Sequence, residues 1–174
     1  VEYVQNGGLV NADFIDNSAG VDCSDHEVNL KILLDQEITK GNLKEEDRNK
    51  LLASLTDEIA ELVLKDNYYQ AFIVSFSVRN AKKNVNRHQQ YIKELESSGL
   101  LDRAVEHLPD EKKLLERKEG LTRPELAVLM AYTKLKIKQE ILNSNLPEEP
   151  YLANIVETAF PPSVRNKFRI AMQK

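Results

Sequence analysis

The stretch FIDNSAGVDCSDHEVNLKILL over residues 14–34 crowds together side chains that could do chemistry: the Asn17 amide, the Ser24 hydroxyl, Gly20 and a run of carboxylates. Two kinds of chemistry use such a set. In the structural one, glycine and asparagine turn the chain, serine caps a helix, and aspartates face the positive end of a helix dipole. In the other, the free N–H groups and dipole of a helix start hold an anion, a carboxylate for example, and Gly20 lets it approach the backbone. Ser24 and Glu27 have the S-x-x-E spacing of a capping box. Ser24 fits both readings, because a hydroxyl accepts from the Glu27 N–H while donating its proton to a carboxylate.

Other candidates carry less. VRNAKKNVNRH, residues 78–88, holds Arg79, Lys82, Lys83 and Arg87 without an acid, and Arg79, Lys83 and Arg87 recur at helical spacing. Solvated charge on a long helix accounts for it, and a phosphate or acidic partner is the alternative. His88 falls in an apolar stripe with no second histidine or cysteine at ligand spacing, so it reads as a packed histidine, and no metal site is indicated. Cys23 is the lone cysteine; it reads as inert, although His26 stands one helical turn away and could lower its pKa.

The elements that must hold these residues read as helices. A helix is predicted from Asp25 through Val28, Ile32 and Leu33, broken at Gly41-Asn42, with helices resuming near Glu45 and a cap at Thr56. Val74, Val78, Ala81, Val85, His88, Ile92 and Leu95 alternate spacings of three and four, which predicts one long helix over residues 68–97. Its length would be about 45 Å. Short helices are expected over residues 100–108 and 111–118, and Thr122-Arg123-Pro124-Glu125 forms a second capping box opening a helix with Leu126, Leu129, Met130, Ile137 and Ile141. Prolines at 147, 150, 161 and 162 punctuate two last helices. The fold class is all-α, a multi-helix bundle with one long helix and a short irregular or β N-terminal segment. Residues 1–24 read as the edge of another region and 25–174 as a helical domain.

Composition sets limits on function. The 174 residues carry 24 basic and 28 acidic side chains, a net charge of -4, which argues against a general nucleic-acid binder because phosphate contacts need a basic footprint. With 41% hydrophobic residues and no long apolar run, a membrane span is not expected. A single cysteine and no secretory pattern point to a reducing, cytoplasmic setting. The opening VEYVQNGG reads like the interior of a longer protein.

Asn17-Ser18-Ala19-Gly20-Val21 with Ser24 and Glu27 resembles the N-A-G-G-V-x-x-S-x-x-E stretch of glutamate dehydrogenases. DFIDNSAGVDCSDHEVNLKILL and the later LTRPELAVLMAYTKL resemble the large-subunit bacterial NAD-specific members in particular. The resemblance spans essentially the whole chain. It implies a C-terminal portion of an enzyme that oxidises L-glutamate to 2-oxoglutarate and ammonia with NAD. It also implies that Asn17 lies at the nicotinamide ribose and substrate, that Ser24 binds a substrate carboxylate, and that Gly20 keeps the site open. Ala19 departs from the pattern, standing where relatives carry the first glycine, and Asp25-His26 departs as well. No G-x-G-x-x-G phosphate loop occurs, and no region resembles the substrate domain that supplies the family's catalytic lysine and aspartate, so no catalytic residue is assigned. The chain alone is expected to be inactive, with the rest of the same polypeptide as partner and the helices after Leu43 available for domain or homo-oligomer association. The alternative reading is a noncatalytic helical interaction module whose stripe docks a partner helix.

Overall fold

Leucine-rich faces and a scarcity of strand-forming runs give a chain of helices. A computed structural model describes residues 2–172, apart from the side chain of Ala153. Among the described residues ten α-helices follow in order: α1 (Glu2–Gln5), α2 (Asp13–Asp16), α3 (Ser18–Thr39), α4 (Glu45–Ser54), α5 (Thr56–Asn80), α6 (Val85–Ser97), α7 (Glu111–Glu116), α8 (Arg123–Leu142), α9 (Pro150–Thr158) and α10 (Pro162–Met172). Single 3₁₀ turns lie at Lys82–Asn84 and Leu146–Glu148. Among the described residues there is no strand, and none of these helices is long and apolar enough to cross a membrane. The all-α expectation holds.

Two compact units divide the chain. The first comprises Val1–Asp16 and Tyr69–Glu140. Its main core gathers Ile92 and Leu95 of α6 with Leu101, Leu108, Leu114, Leu121, Leu126 and Leu129, and Ala81 closes it. A smaller cluster joins Ile15, Val74 and Ala127. Four of the seven stripe residues are core positions, with Val74, Ala81, Ile92 and Leu95 at most 1% exposed, whereas Val85 and His88 are half-buried and Val78 is exposed.

A long helix is present, but its expected span over residues 68–97 is overturned. α5 starts earlier, at Thr56, and ends at Asn80; a 3₁₀ turn separates it from α6. Two physical causes meet there. Asn80 and Asn84 turn their amides back onto the Phe76 and Asn80 carbonyls at 2.9 and 3.1 Å, a local bond that competes with regular helix geometry. Gly120, at φ +80, lies so close that a methyl group added to it would sit 2.8 Å from the carbonyl carbon and oxygen of Ala81. No neighbouring helix turn could pack that tightly unless one partner were glycine.

Two further expectations are corrected. Residues 100–108 form turns instead of a helix, because Arg103 donates to both Glu96 oxygens at 2.9 and 2.6 Å and to the Pro109 carbonyl at 2.9 Å, fixing the chain by side-chain bonds. Thr56 does not cap α5 by accepting a backbone proton; its hydroxyl donates to the Ala53 carbonyl at 3.3 Å. In the N-terminal segment, where Val1 lies outside the described residues, two single helical turns flank irregular backbone. The second capping box is real in one half: the Thr122 N–H and hydroxyl donate to Glu125 at 2.7 and 2.8 Å.

The second unit comprises Asn17–Tyr68 and Ile141–Lys174. Its core packs Leu30, Leu33 and Leu34 of α3 against Leu55 and against Phe160, Val164 and Phe168. Glu37 near the end of α3 is buried yet satisfied, accepting from Lys40 and Asn42 at 2.9 Å each.

Candidate functional site

α3 begins seven residues before the start expected from the sequence. Asn17 is its N-cap residue, and the Asn17 side chain makes no capping hydrogen bond. Ser24 consequently lies inside the helix, and Ser24 and Glu27 do not form a capping box; the correction follows from the absence of any breaker between Ser18 and Ser24 other than Gly20, whose cost in a helix is only about 0.5–1 kcal/mol. The first turn of α3 is fastened instead by Ser18, whose hydroxyl donates to the Asn67 side chain at 2.6 Å. Asn67 in turn donates to the Val63 carbonyl at 2.8 Å, which sets its amide.

Asn17, Gly20 and Ser24 occupy i, i+3 and i+7 and share one face of α3, with Asn17 and Ser24 about 10 Å apart along the axis. All three are exposed. Val21 and Val28 continue the face and are 61% and 50% exposed. The opposite face carries His26, Leu30 and Leu33, all buried. One side of α3 thus anchors the helix, and the other presents an amide, a bare backbone patch and a hydroxyl to solvent.

Gly20 is informative because nothing inside the chain calls for it. A methyl group there would meet only the Asn17 amide oxygen, at an ordinary 3.8 Å. A helix-interior glycine that could be alanine without crowding gives up stability for open surface.

The remaining candidates divide differently. Arg79, Lys82, Lys83 and Arg87 are exposed, but the 3₁₀ turn runs through the middle of their spacing, so they do not form one continuous helical row. His88 is half-buried, its Nδ1 has no hydrogen-bond partner, and burial holds its pKa below the ordinary imidazole value. Cys23 is free and exposed. What the sequence reading missed is the placement of His26 on the buried face of α3 beside Asp22 and Asp66. The Asp22-to-His26 interval of one helical turn was visible; the approach of Asp66, forty positions on, was not.

Residues 1–77 match the family model for the catalytic domain of bacterial NAD-glutamate dehydrogenase, and residues 118–174 match that for the C-terminal part of glutamate dehydrogenase. An NAD-specific glutamate dehydrogenase of Pseudomonas aeruginosa is 45% identical over 177 residues, an alignment covering 100% of this chain and 11% of that protein. The NAD-specific glutamate dehydrogenase of Halomonas elongata is 42% identical over 175 residues, covering 99% of this chain and 11% of its own length. That of Mycobacterium tuberculosis is 45% identical over 171 residues, covering 97% and 10%. The chain spans about a tenth of the length of these relatives. With two matching models in order along it and relatives aligned across nearly all of it, the chain belongs to the bacterial NAD-specific glutamate dehydrogenase family.

Proposed function

We propose that this chain is a portion of an NAD-dependent glutamate dehydrogenase that converts L-glutamate to 2-oxoglutarate and ammonia, and that the exposed face of α3 forms one wall of its substrate and cofactor cleft. The observation that carries the reading is the solvent-open row of Asn17, Gly20 and Ser24 within a stretch matched by the catalytic-domain model. NAD, when bound, supplies the hydride acceptor. The residues here fit beside it: the Asn17 amide both donates and accepts, the first N–H groups of α3 favour negative charge, and the uncrowded Gly20 leaves room for a ring or ribose. Ser24, two turns along, has a hydroxyl to donate to a substrate carboxylate.

These residues bind and orient; none of them abstracts a proton or receives a hydride. The chain lacks a Gly-rich phosphate loop, so the purified 174-residue chain is expected to reduce no NAD with glutamate, and measurable turnover by it would refute that. The direct test uses the longer enzyme carrying Asn17→Ala or Ser24→Ala. Loss of one hydrogen bond to a charged group should raise the glutamate KM about tenfold in Ser24→Ala. Unchanged kinetics in both variants would remove the site from this face.

A further inference from the structure

The buried side of α3 holds a second arrangement of polar groups, apart from the exposed face of Asn17, Gly20 and Ser24. His26 is 6% exposed. Its Nδ1 lies 2.8 Å from the carbonyl oxygen of Ala159, which can only accept, so Nδ1 carries a proton and Nε2 is left to face the other way. Nε2 is buried without a hydrogen-bond partner. It points at two carboxylates: Asp22 Oδ1 at 3.9 Å, one turn back on α3, and Asp66 Oδ2 at 3.8 Å, on α5. The candidate ligand atoms of the three residues all lie within 4.8 Å of one another.

The spacing decides what belongs between them. A gap of 3.8–3.9 Å is too wide for a hydrogen bond, whose heavy atoms approach to about 2.7–3.2 Å. It is too narrow for a bridging water, whose two bonds of about 2.8 Å at a tetrahedral angle hold its partners about 4.5 Å apart. Two metal–ligand bonds of about 2.0–2.1 Å span about 3.3 Å at a tetrahedral angle and about 4.1 Å when straight, which brackets the observed distances. A buried ring nitrogen that faces two carboxylate oxygens at these distances calls for a positive charge at Nε2, either a metal ion or a proton.

We propose that Asp22, His26 and Asp66 bind a first-row divalent transition-metal ion such as Zn²⁺, through His26 Nε2 and one oxygen of each carboxylate. One imidazole nitrogen and two carboxylate oxygens suit such an ion, and the Nδ1 proton held by a backbone carbonyl is the outer contact that fixes a ligating histidine's tautomer and ring. Three protein ligands leave a position for water, and Asp66, with its side chain 57% exposed, gives the ion a route in. Bound there, the ion ties α3 to α5 on the side opposite Asn17 and Ser24.

The experiment is calorimetric titration of Zn²⁺ into the 174-residue chain carrying Cys23→Ser, which removes the one thiol, together with long-range ¹H–¹⁵N spectra of the imidazoles. One saturable site is expected, with the His26 Nε2 resonance shifting and Nδ1 remaining protonated. Asp66→Asn, at an exposed position, should weaken binding at least tenfold. Absence of saturable binding, binding indifferent to Asp66→Asn, or a His26 ring protonated on both nitrogens at neutral pH in the presence of Zn²⁺ would each overturn the proposal, the last by assigning the gap to a proton.

Discussion

Gly120 stands against the backbone of Ala81, the residue at which the long apolar stripe changes from one helix to the next. The contact is backbone to backbone, and Ala81 is 1% exposed, so neither side can give way by rotating a side chain. Gly120→Ala should therefore destabilise the chain by about 2 kcal/mol or more, from the left-handed backbone and the forced separation together. Denaturant unfolding of the two proteins measures it; a midpoint unchanged by the substitution would show that α5 and α6 are not held apart by this contact.

Glu125 gives a prediction of a different kind. It is 2% exposed and accepts from Arg117 at 2.7 and 2.8 Å and from the Thr122 N–H and hydroxyl. Removing the carboxylate strands a partly buried guanidinium and a helix-start N–H. Glu125→Ala is expected to cost about 3 kcal/mol, and Glu125→Gln, which keeps an acceptor, about half as much. Equal losses in the two variants would mean that packing volume, and not the ion pair, is what Glu125 supplies.

Gly20 separates stability from function. Since an added methyl group meets nothing closer than 3.8 Å, Gly20→Ala should raise the stability of this chain by about 0.5–1 kcal/mol. In the longer enzyme the same substitution should weaken glutamate or cofactor binding. A variant that is less stable as an isolated chain would point to an internal reason for the glycine and withdraw it as a sign of a ligand.

His88 makes stability fall on the acid side. Burial holds its pKa down, so the unfolded chain binds the proton more readily than the folded one. The stability this neutral histidine contributes is complete above its unfolded value of about 6.5 and is lost as pH falls through that value toward the lower folded one. The paired Glu96, whose carboxyl is held down chiefly by its hydrogen bond from Arg103, acts in the same direction but at lower pH, in the carboxylate range. Unfolding midpoints at pH 7.5 and 5.5 should differ less for His88→Gln than for the unsubstituted chain. An identical pH dependence would show that His88 is solvated in solution.

Much of the helical plan is legible in the chain because it rests on local chemistry. Apolar spacing marks seven positions from Val74 to Leu95, and Val74, Ala81, Ile92 and Leu95 among them are buried, while Val78 is exposed. Thr122 and Glu125 are three residues apart, and that spacing alone announces the helix they open. The same reasoning placed the start of α3 at Asp25, capped by Ser24, and ran α5 into α6, and both were wrong for related reasons. A serine three residues before a glutamate also occurs inside helices, where the hydroxyl simply faces out. A stripe can continue in register across a break, because apolar spacing registers neither the Asn80 and Asn84 amide bonds nor the approach of Gly120 that interrupt the helix.

What distant residues do could not be read from spacing. Gly120 ends a helix whose last residue lies forty positions earlier; Asn67 secures Ser18, and Asp66 comes to His26, each across an interval with no sequence signature. Periodicity, capping residues and family motifs state which segments coil and which chain family they belong to, because those depend on neighbours a few bonds away. Where a helix stops, which of its faces stays wet, and which charges meet beneath it depend on packing between segments, and close packing is settled by shapes that come together only when the whole unit has folded.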